Sequence, residues 1–210
     1  MPQDIYTKSL LSFFDPDDGS WKRYENEKGF LAFISPMDGV TYEQGNADVY
    51  VKDLPFYVDV KIVQMRSLDE QAEPQFCFFL KYGAQGTQYV QLKGQSDVIH
   101  EVNEESELNI TLDTVFDYLK FFNLFTSNDE GNSFYVIEGQ NSELFKSYSA
   151  YEVSRYLRKF TGSKIDDASE LGVYTINTRV LCDGTLYDCD FDVTRDGFVE
   201  MKEDNWVGSV

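Results

Sequence analysis

The stretch Tyr174–Met201, YTINTRVLCDGTLYDCDFDVTRDGFVEM, decides the architecture of the C-terminal half. Asp183-Gly184 predicts a two-residue type I′ turn, because that turn needs positive φ at both central residues. Closing a hairpin there sets Cys182 opposite Thr185. One face then carries Val180–Tyr187, Thr178–Cys189, Ile176–Phe191 and Tyr174–Val193. The other carries Arg179–Asp188, Asn177–Asp190 and Thr175–Asp192. Apolar residues meet apolar ones and polar meet polar, as a half-buried antiparallel pair requires.

The next turn, Arg195-Asp196-Gly197, has two readings. A two-residue loop would throw Val199 and Met201 onto the carboxylate face. A three-residue loop with Gly197 in the left-handed position of a G1 bulge sets them opposite Val193 and Phe191. One residue of slip flips a whole strand, so the apolar pattern selects the three-residue form. A three-stranded meander over about 173–203 follows, with Lys202 opposite Asp190 and one apolar face that must lie on something.

Outward from the meander, Asp4–Phe14 reads as a short helix ended by Asp15-Pro16. Phe30–Ser35, Ala47–Lys52, Phe56–Arg66, Gln75–Tyr82 and Thr87–Lys93 read as strands between Gly, Pro, Asp and Asn clusters. Within Phe56–Arg66, Phe56, Val58, Val60 and Ile62 alternate with Tyr57, Asp59 and Lys61. Gly83–Gly86 closes a hairpin. Gly94–Asn109 is charged, and it is the candidate boundary between a β-rich N-terminal domain (1–105) and an α+β C-terminal domain (106–210), either separate or packed as one unit.

Leu112–Phe125 predicts a helix apolar nearly all round, capped by Thr111 or Asp113. Phe134–Ile137 is a short strand. Ser149 with Glu152 forms a capping box opening a helix to Phe160, with Gly162 as its stop. The fold class is therefore α+β: an antiparallel N-terminal sheet, a helix–strand–helix segment, and the C-terminal meander.

Composition narrows the function classes. There are 37 acidic against 18 basic residues, a formal net charge of −19, yet 16% of the chain is aromatic. Disordered acidic chains are poor in aromatics, so this one folds. The charge opposes direct binding to nucleic acid and to anionic membranes, both of which attract Lys and Arg. It suits a basic protein partner. The N-terminal residues show no basic leader, and no apolar run approaches the roughly 18 residues of a membrane-spanning helix. Cys77, Cys182 and Cys189 have no metal-ligand spacing, which points to reduced thiols and a cytoplasmic location.

Absences exclude further chemistries. His100 is the only histidine and falls in the charged connector Asp97–Asn103, where a solvated role is expected. No phosphate-binding glycine loop, nucleophile elbow or dinucleotide turn occurs, and no cofactor is called for.

Three constellations remain. Asp192-x-Thr194-x-Asp196-Gly197-x5-Glu203 approaches the calcium-loop pattern, with Thr194 as a departure and a hairpin where an entering helix is needed. Asp38 with Asp59-x-Lys61 resembles the restriction-endonuclease-like nucleases, which implies two carboxylates holding Mg²⁺ and a lysine acting on the attacking water. The third is the strand face carrying Asp188, Asp190 and Asp192, with Glu200 opposite Asp192. Carboxylates at alternate residues stand about 6.6 Å apart along one face. They form a surface for a basic partner, offset within the sheet by Arg179 and Lys202. The reading that gathers most of these features is a non-catalytic, acidic interaction protein of inhibitor, immunity or antagonist type. The alternative is a Mg²⁺-dependent nuclease using Asp38, Asp59 and Lys61.

Overall fold

The computed structural model describes residues 19–38, 47–67, 76–83, 86–128, 131–139, 142, 145, 149–168 and 172–209. The expected helix Asp4–Phe14 lies outside the described residues. The first sheet is an antiparallel meander of five strands: β1 (Lys22–Arg23), β2 (Ala47–Asp53), β3 (Val60–Ser67), β4 (Phe76–Gly83) and β5 (Gly86–Gln91). The second holds β6 (Tyr135–Ile137), β7 (Lys164–Ala168), β8 (Val173–Cys182), β9 (Thr185–Thr194) and β10 (Val199–Ser209). Its order is β10-β9-β8-β6, with β7 also pairing β8. Four helices complete the described chain: α1 (Glu27–Asp38), α2 (Ser96–Glu104), α3 (Val115–Phe125) and α4 (Ala150–Tyr156). The protein is α+β, and none of these helices is long and apolar enough to cross a membrane.

The buried residues show how the elements stack. On one face of the first sheet, Val49, Val63, Met65 and Leu80 meet Phe30, Leu31 and Ile34 of α1. On its other face, Val60, Ile62 and Phe79 join a cluster with Ile99 and Val102 of α2, and Val115, Tyr118, Leu119 and Phe121 of α3. The same cluster takes in Tyr174, Ile176, Val180, Cys189, Phe191 and Val193 from the second sheet. On the far side of that sheet Ile137, Leu181 and Leu186 pack with Tyr156 and, at its margin, with Val153 of α4 and Leu157 just beyond it. The order through the molecule is α1, first sheet, α2 with α3, second sheet, α4.

Several N-terminal expectations are corrected. Phe30–Ser35 is helical, not a strand. Glu27, Phe30, Leu31 and Ile34 are buried while Ala32 and Phe33 face outward, the i, i+3, i+4, i+7 spacing of a helix stripe. The β3 strand starts at Val60 rather than Phe56. Residues 56–58 leave the sheet to pair with 107–109, through Asn109 N–H to Phe56 O at 2.8 Å and Val58 N–H to Glu107 O at 3.0 Å. Phe56 and Tyr57 are therefore both buried, and Val58 is 63% exposed.

The charged segment read as a connector contains α2, whose Ile99, Val102 and Asn103 are buried at helical spacing. His100 is half-buried rather than solvated. Its ring lies 5.7 Å from that of Phe122 and is stacked 5.8 Å from that of Phe198.

Helix α3 begins after a turn that opens at Thr111, with Thr114 as its first flanking residue. The Thr114 hydroxyl accepts from Thr111 N–H and donates to Asn109 O instead of capping the helix. The capping box of α4 is present: Glu152 N–H donates to Ser149 Oγ, and Ser149 N–H donates to Glu152 Oε2 at 2.7 Å. The helix stops at Tyr156, short of Phe160, and Lys159 takes a positive φ of 63°.

The β8–β9 register agrees with the turn-based reading at every pair, from Cys182↔Thr185 to Tyr174↔Val193. Asp183 and Gly184 have φ of 45° and 71°, as a type I′ turn demands. At the second turn Thr194 N–H donates to Phe198 O at 2.9 Å and Gly197 N–H to Thr194 O at 3.0 Å, which is the three-residue hairpin. Gly197, at φ 81°, is held from behind: Tyr118 Oη donates to its carbonyl at 2.6 Å. Asn103 Nδ2 donates to Tyr118 Oη at 2.8 Å, and Tyr57 Oη donates to Asn103 Oδ1. This buried chain of hydrogen bonds ties the segment before β3 and the turn before β10 to α2 and α3. A Cβ at position 197 would press on Asn103 and come within 2.7 Å of Tyr118 Oη, so the turn and the close approach both require glycine.

Candidate interaction surface

The outer face of the second sheet collects the candidate carboxylates. Its rows run across the strands, since directly opposed residues point to the same side. Asp166, Thr175, Asp192 and Glu200 form one row, and Lys164, Asn177, Asp190 and Glu203 the next. Strand β7, absent from the sequence reading, supplies Asp166 and Lys164.

Asp188 is committed to structure. Arg179, only 1% exposed, reaches it with two bonds, Nε to Oδ1 at 2.7 Å and Nη2 to Oδ2 at 2.9 Å. The guanidinium Nη1 also donates to the carbonyls of Tyr156 at 2.8 Å and Arg158 at 2.9 Å, and the group lies 5.0 Å over the Phe160 ring. The end of α4 thus receives a cation where its carbonyls lack partners. Those bonds tie the end of α4 to the sheet, which accounts for a helix shorter than its apolar stripe suggests.

The pairing of Lys202 with Asp190 is corrected. Strand β10 follows the expected register through Met201↔Phe191 and then shifts, so that Glu203 stands opposite Asp190, Asp204 opposite Cys189, Asn205 opposite Asp188 and Trp206 opposite Tyr187. The extra residue is Lys202, whose Nζ lies 3.2 Å from Glu200 and 3.8 Å from Asp192. The strand also runs on to Ser209, with a second shift between Trp206 and Gly208. The bulge turns a compensated pair into two facing carboxylates. Asp192 accepts from Thr175 Oγ1 and Asp190 from Asn177 Nδ2, each at 2.7 Å. Among the described residues, Asp190, Glu203 and Asp204 take part in no ion pair.

The negative field reaches the interior. Burial, and then the charges of Asp204, Asp188 and Asp190, push the Cys189 thiol up to about 12. Cys182 and Cys189 are both buried.

The described residues of the other constellations have partners within the fold. Thr194 Oγ1 donates to Asp196 Oδ1 and accepts from Phe198 N–H at 3.0 Å, so the calcium-like residues shape a hairpin. Among the described residues no group of three or more His, Cys, Asp or Glu could hold a metal ion. Asp59 lies in the turn before β3, where its Oδ1 accepts from Glu107 N–H at 2.9 Å. Lys61 pairs with Asp53 across the strands at 2.6 Å, which holds the Asp53 carboxyl below its usual range. Asp38 closes α1, and its side chain lies outside the described residues.

No known protein family, curated protein or solved structure matches this chain. Its function is argued from its own residues.

The sequence reading missed Glu203 as a facing carboxylate, Asp204, and Trp206, because it ended the meander at Glu203. Residues 203–207, Glu-Asp-Asn-Trp-Val, carry no apolar–polar alternation, so no local sign marks that the strand continues.

Proposed function

We propose that the chain is an acidic, non-catalytic interaction protein, of inhibitor, immunity or antagonist type, that binds a basic protein partner through the outer face and edge of its second sheet. Asp190, Asp192, Glu200 and Glu203 carry the contact, and Asp188 positions Arg179. The observation behind this reading is the bulge at Lys202, which sets Glu203 against Asp190 with no described cation to offset them. Like charges directly opposed cost stability, so a sheet selected for folding alone would favour a pair of opposite sign there. The net charge of −19 draws a basic partner from a distance and speeds its association. The buried thiols of Cys182 and Cys189 suit a reducing compartment such as the cytoplasm.

The test is retention of basic proteins from a lysate on the immobilised chain at low and high salt. Retention that falls steeply as salt rises supports the reading, and so does its weakening when Asp190, Glu200 and Glu203 are replaced by their amides. Recovery of no basic protein at low salt, or retention indifferent to salt, overturns it.

A further inference from the structure

The second sheet ends at β10, and among the described residues nothing pairs with its outer edge. An open edge is a row of unpaired backbone donors and acceptors, a template for another strand. Here the two register shifts bracket a regular stretch, Glu203–Trp206, and all four of its side chains are exposed. The bulges on either side limit any added strand to a short segment.

The chemistry of the stretch is specific. Successive strand residues point to opposite faces, so Glu203 and Asp204 make the edge negative on both sides of the sheet. Asp204 and Trp206 share one side, about 6.6 Å apart along the strand. The Trp206 indole is 70% exposed, whereas the only other tryptophan, Trp21, is buried. An open indole with a carboxylate one pleat away is a receptor for an ammonium or guanidinium group, held by the ring face and the charge together. A second copy of the chain is a poor occupant, since it brings the same acidic edge and another net charge of −19.

We propose that the β10 edge over Glu203–Trp206 takes up a short, extended, lysine- or arginine-rich segment of a protein as an added strand, with one cationic side chain over Trp206 beside Asp204. The mode is strand addition, in which backbone bonds give affinity and alternate side chains give specificity. This inference rests on the proposed binding of a basic partner and names where and how that partner is held.

The experiment uses the full chain and three probe peptides: alternating lysine and threonine, the same peptide with every backbone amide N-methylated, and alternating glutamate and threonine. Binding is read from the shift of the Trp206 indole N–H and from amide shifts of residues 203–206. The lysine peptide is expected to perturb both, and the glutamate peptide neither. N-methylation, which removes the backbone donors, is expected to abolish binding. Replacing Glu203 and Asp204 by lysine together is expected to weaken binding about tenfold or more. Trp206→Ala, read from the amide shifts, is expected to weaken it about threefold to fivefold. Circular dichroism and melting of each variant confirm folding, and all substituted side chains are exposed.

Equal binding of the N-methylated peptide overturns the strand-addition inference but leaves the basic-partner reading standing, provided that binding still weakens with salt and with loss of Asp190 and Glu200. Indifference to the changes at positions 203, 204 and 206 has the same consequence. Failure of the lysine peptide, together with failure to retain any basic protein at low salt, overturns both.

Discussion

The two sheets are covered differently. The first lies between α1 and the α2–α3 layer, so Ile62, Val63, Gln64 and Met65, on adjacent positions of β3, are all buried. The second packs one face on α3, while α4 covers only the part of its other face near Leu181 and Leu186. The remainder, from Arg179–Asp188 outward to Asp192 and Glu200, is polar. The first sheet therefore acts as scaffold on both sides, and the second as scaffold on one side and surface on the other. Hydrogen bonds mark the same division. Tyr57, Asn103 and Tyr118 form a buried network between the sheets, whereas Thr175–Asp192 and Asn177–Asp190 are short cross-strand pairs facing out.

The strongest way to break this comparison is to empty the layer shared by both sheets. Phe121 is 1% exposed, and its ring packs against those of Phe56, Phe79 and Phe125. Phe121→Ala is expected to cost about 3–5 kcal/mol, the transfer term plus a cavity that cannot collapse. If the layer is common to both halves, urea unfolding followed by near-ultraviolet dichroism and by tryptophan fluorescence, to which Trp21 and Trp206 both contribute, should shift to the same lower midpoint. Two separate transitions, with only one displaced, would show that the sheets are independently stable.

A smaller effect is expected on the outer face of the second sheet. Arg179→Met keeps much of the apolar volume but leaves Asp188 and the Tyr156 and Arg158 carbonyls without their donor. Removing one partner of a buried pair costs about 3–5 kcal/mol. The Asp188 side chain is 41% exposed, so water recovers part of this, and about 2–3 kcal/mol is expected from chemical denaturation. Adding Asp188→Leu should restore part of the loss, because the uncompensated carboxylate goes with it. No restoration would mean that the helix-end carbonyls, not the ion pair, carry the cost.

Alkaline pH separates the sheets' shared layer from the solvated face without mutation. Burial raises the Tyr57 and Tyr118 phenols above their ordinary value and pushes the Cys189 thiol up to about 12. All three groups are neutral in the fold. Below an unfolded thiol value of about 8.5 they are neutral in both states and stability does not depend on them. Above it the unfolded chain loses protons first, at about 8.5 for the thiol and about 10 for the phenols, so stability falls as pH rises towards the folded values. The slope reaches about 1.4 kcal/mol per pH unit for each titrating group. Melting temperatures are expected to be flat in this respect up to about pH 8 and to fall beyond it. Phe substitution at Tyr57 should reduce the slope, and an unchanged slope would place the titrating groups elsewhere.

Which parts were legible in the sequence follows from the same difference in covering. A sheet with one wet face writes alternation into its strands, so the β8–β9 register and the Gly197 hairpin could be read pair by pair. A sheet buried on both faces does not. The alternation of Phe56, Val58, Val60 and Ile62 runs past the true start of β3, because residues 56–58 pair with 107–109 instead, and Phe30–Ser35, rich in aromatic and branched residues, passes for a strand despite its helical spacing. The bulge at Lys202 has no local marker: neither Gly nor a turn residue announces it, and the register is chosen by what β10 meets beyond Met201. Asp190 and Asp192 were legible as surface carboxylates because they alternate with Cys189, Phe191 and Val193. The burial of Arg179 was not, since it depends on carbonyls more than twenty residues away at the end of α4.

The smallest expected effect bears most directly on why the outer face is acidic. Glu203 is exposed and stands opposite Asp190. If the face were tuned only for stability, removing its charge should be neutral or slightly harmful. Opposed like charges predict instead that Glu203→Gln raises stability, by about 0.2–0.5 kcal/mol at low salt. The gain should vanish at about 1 M salt, where charges beyond roughly 3 Å are screened. Equilibrium unfolding in urea, which leaves ionic strength free to vary, resolves the two cases if the midpoints of wild type and variant are compared at both salts. A stabilising, salt-sensitive Glu203→Gln that also weakens retention of basic proteins would show a carboxylate held against the interest of folding. A destabilising one would return Glu203 to an ordinary place in the sheet, and the acidic edge would lose its strongest reason for a partner.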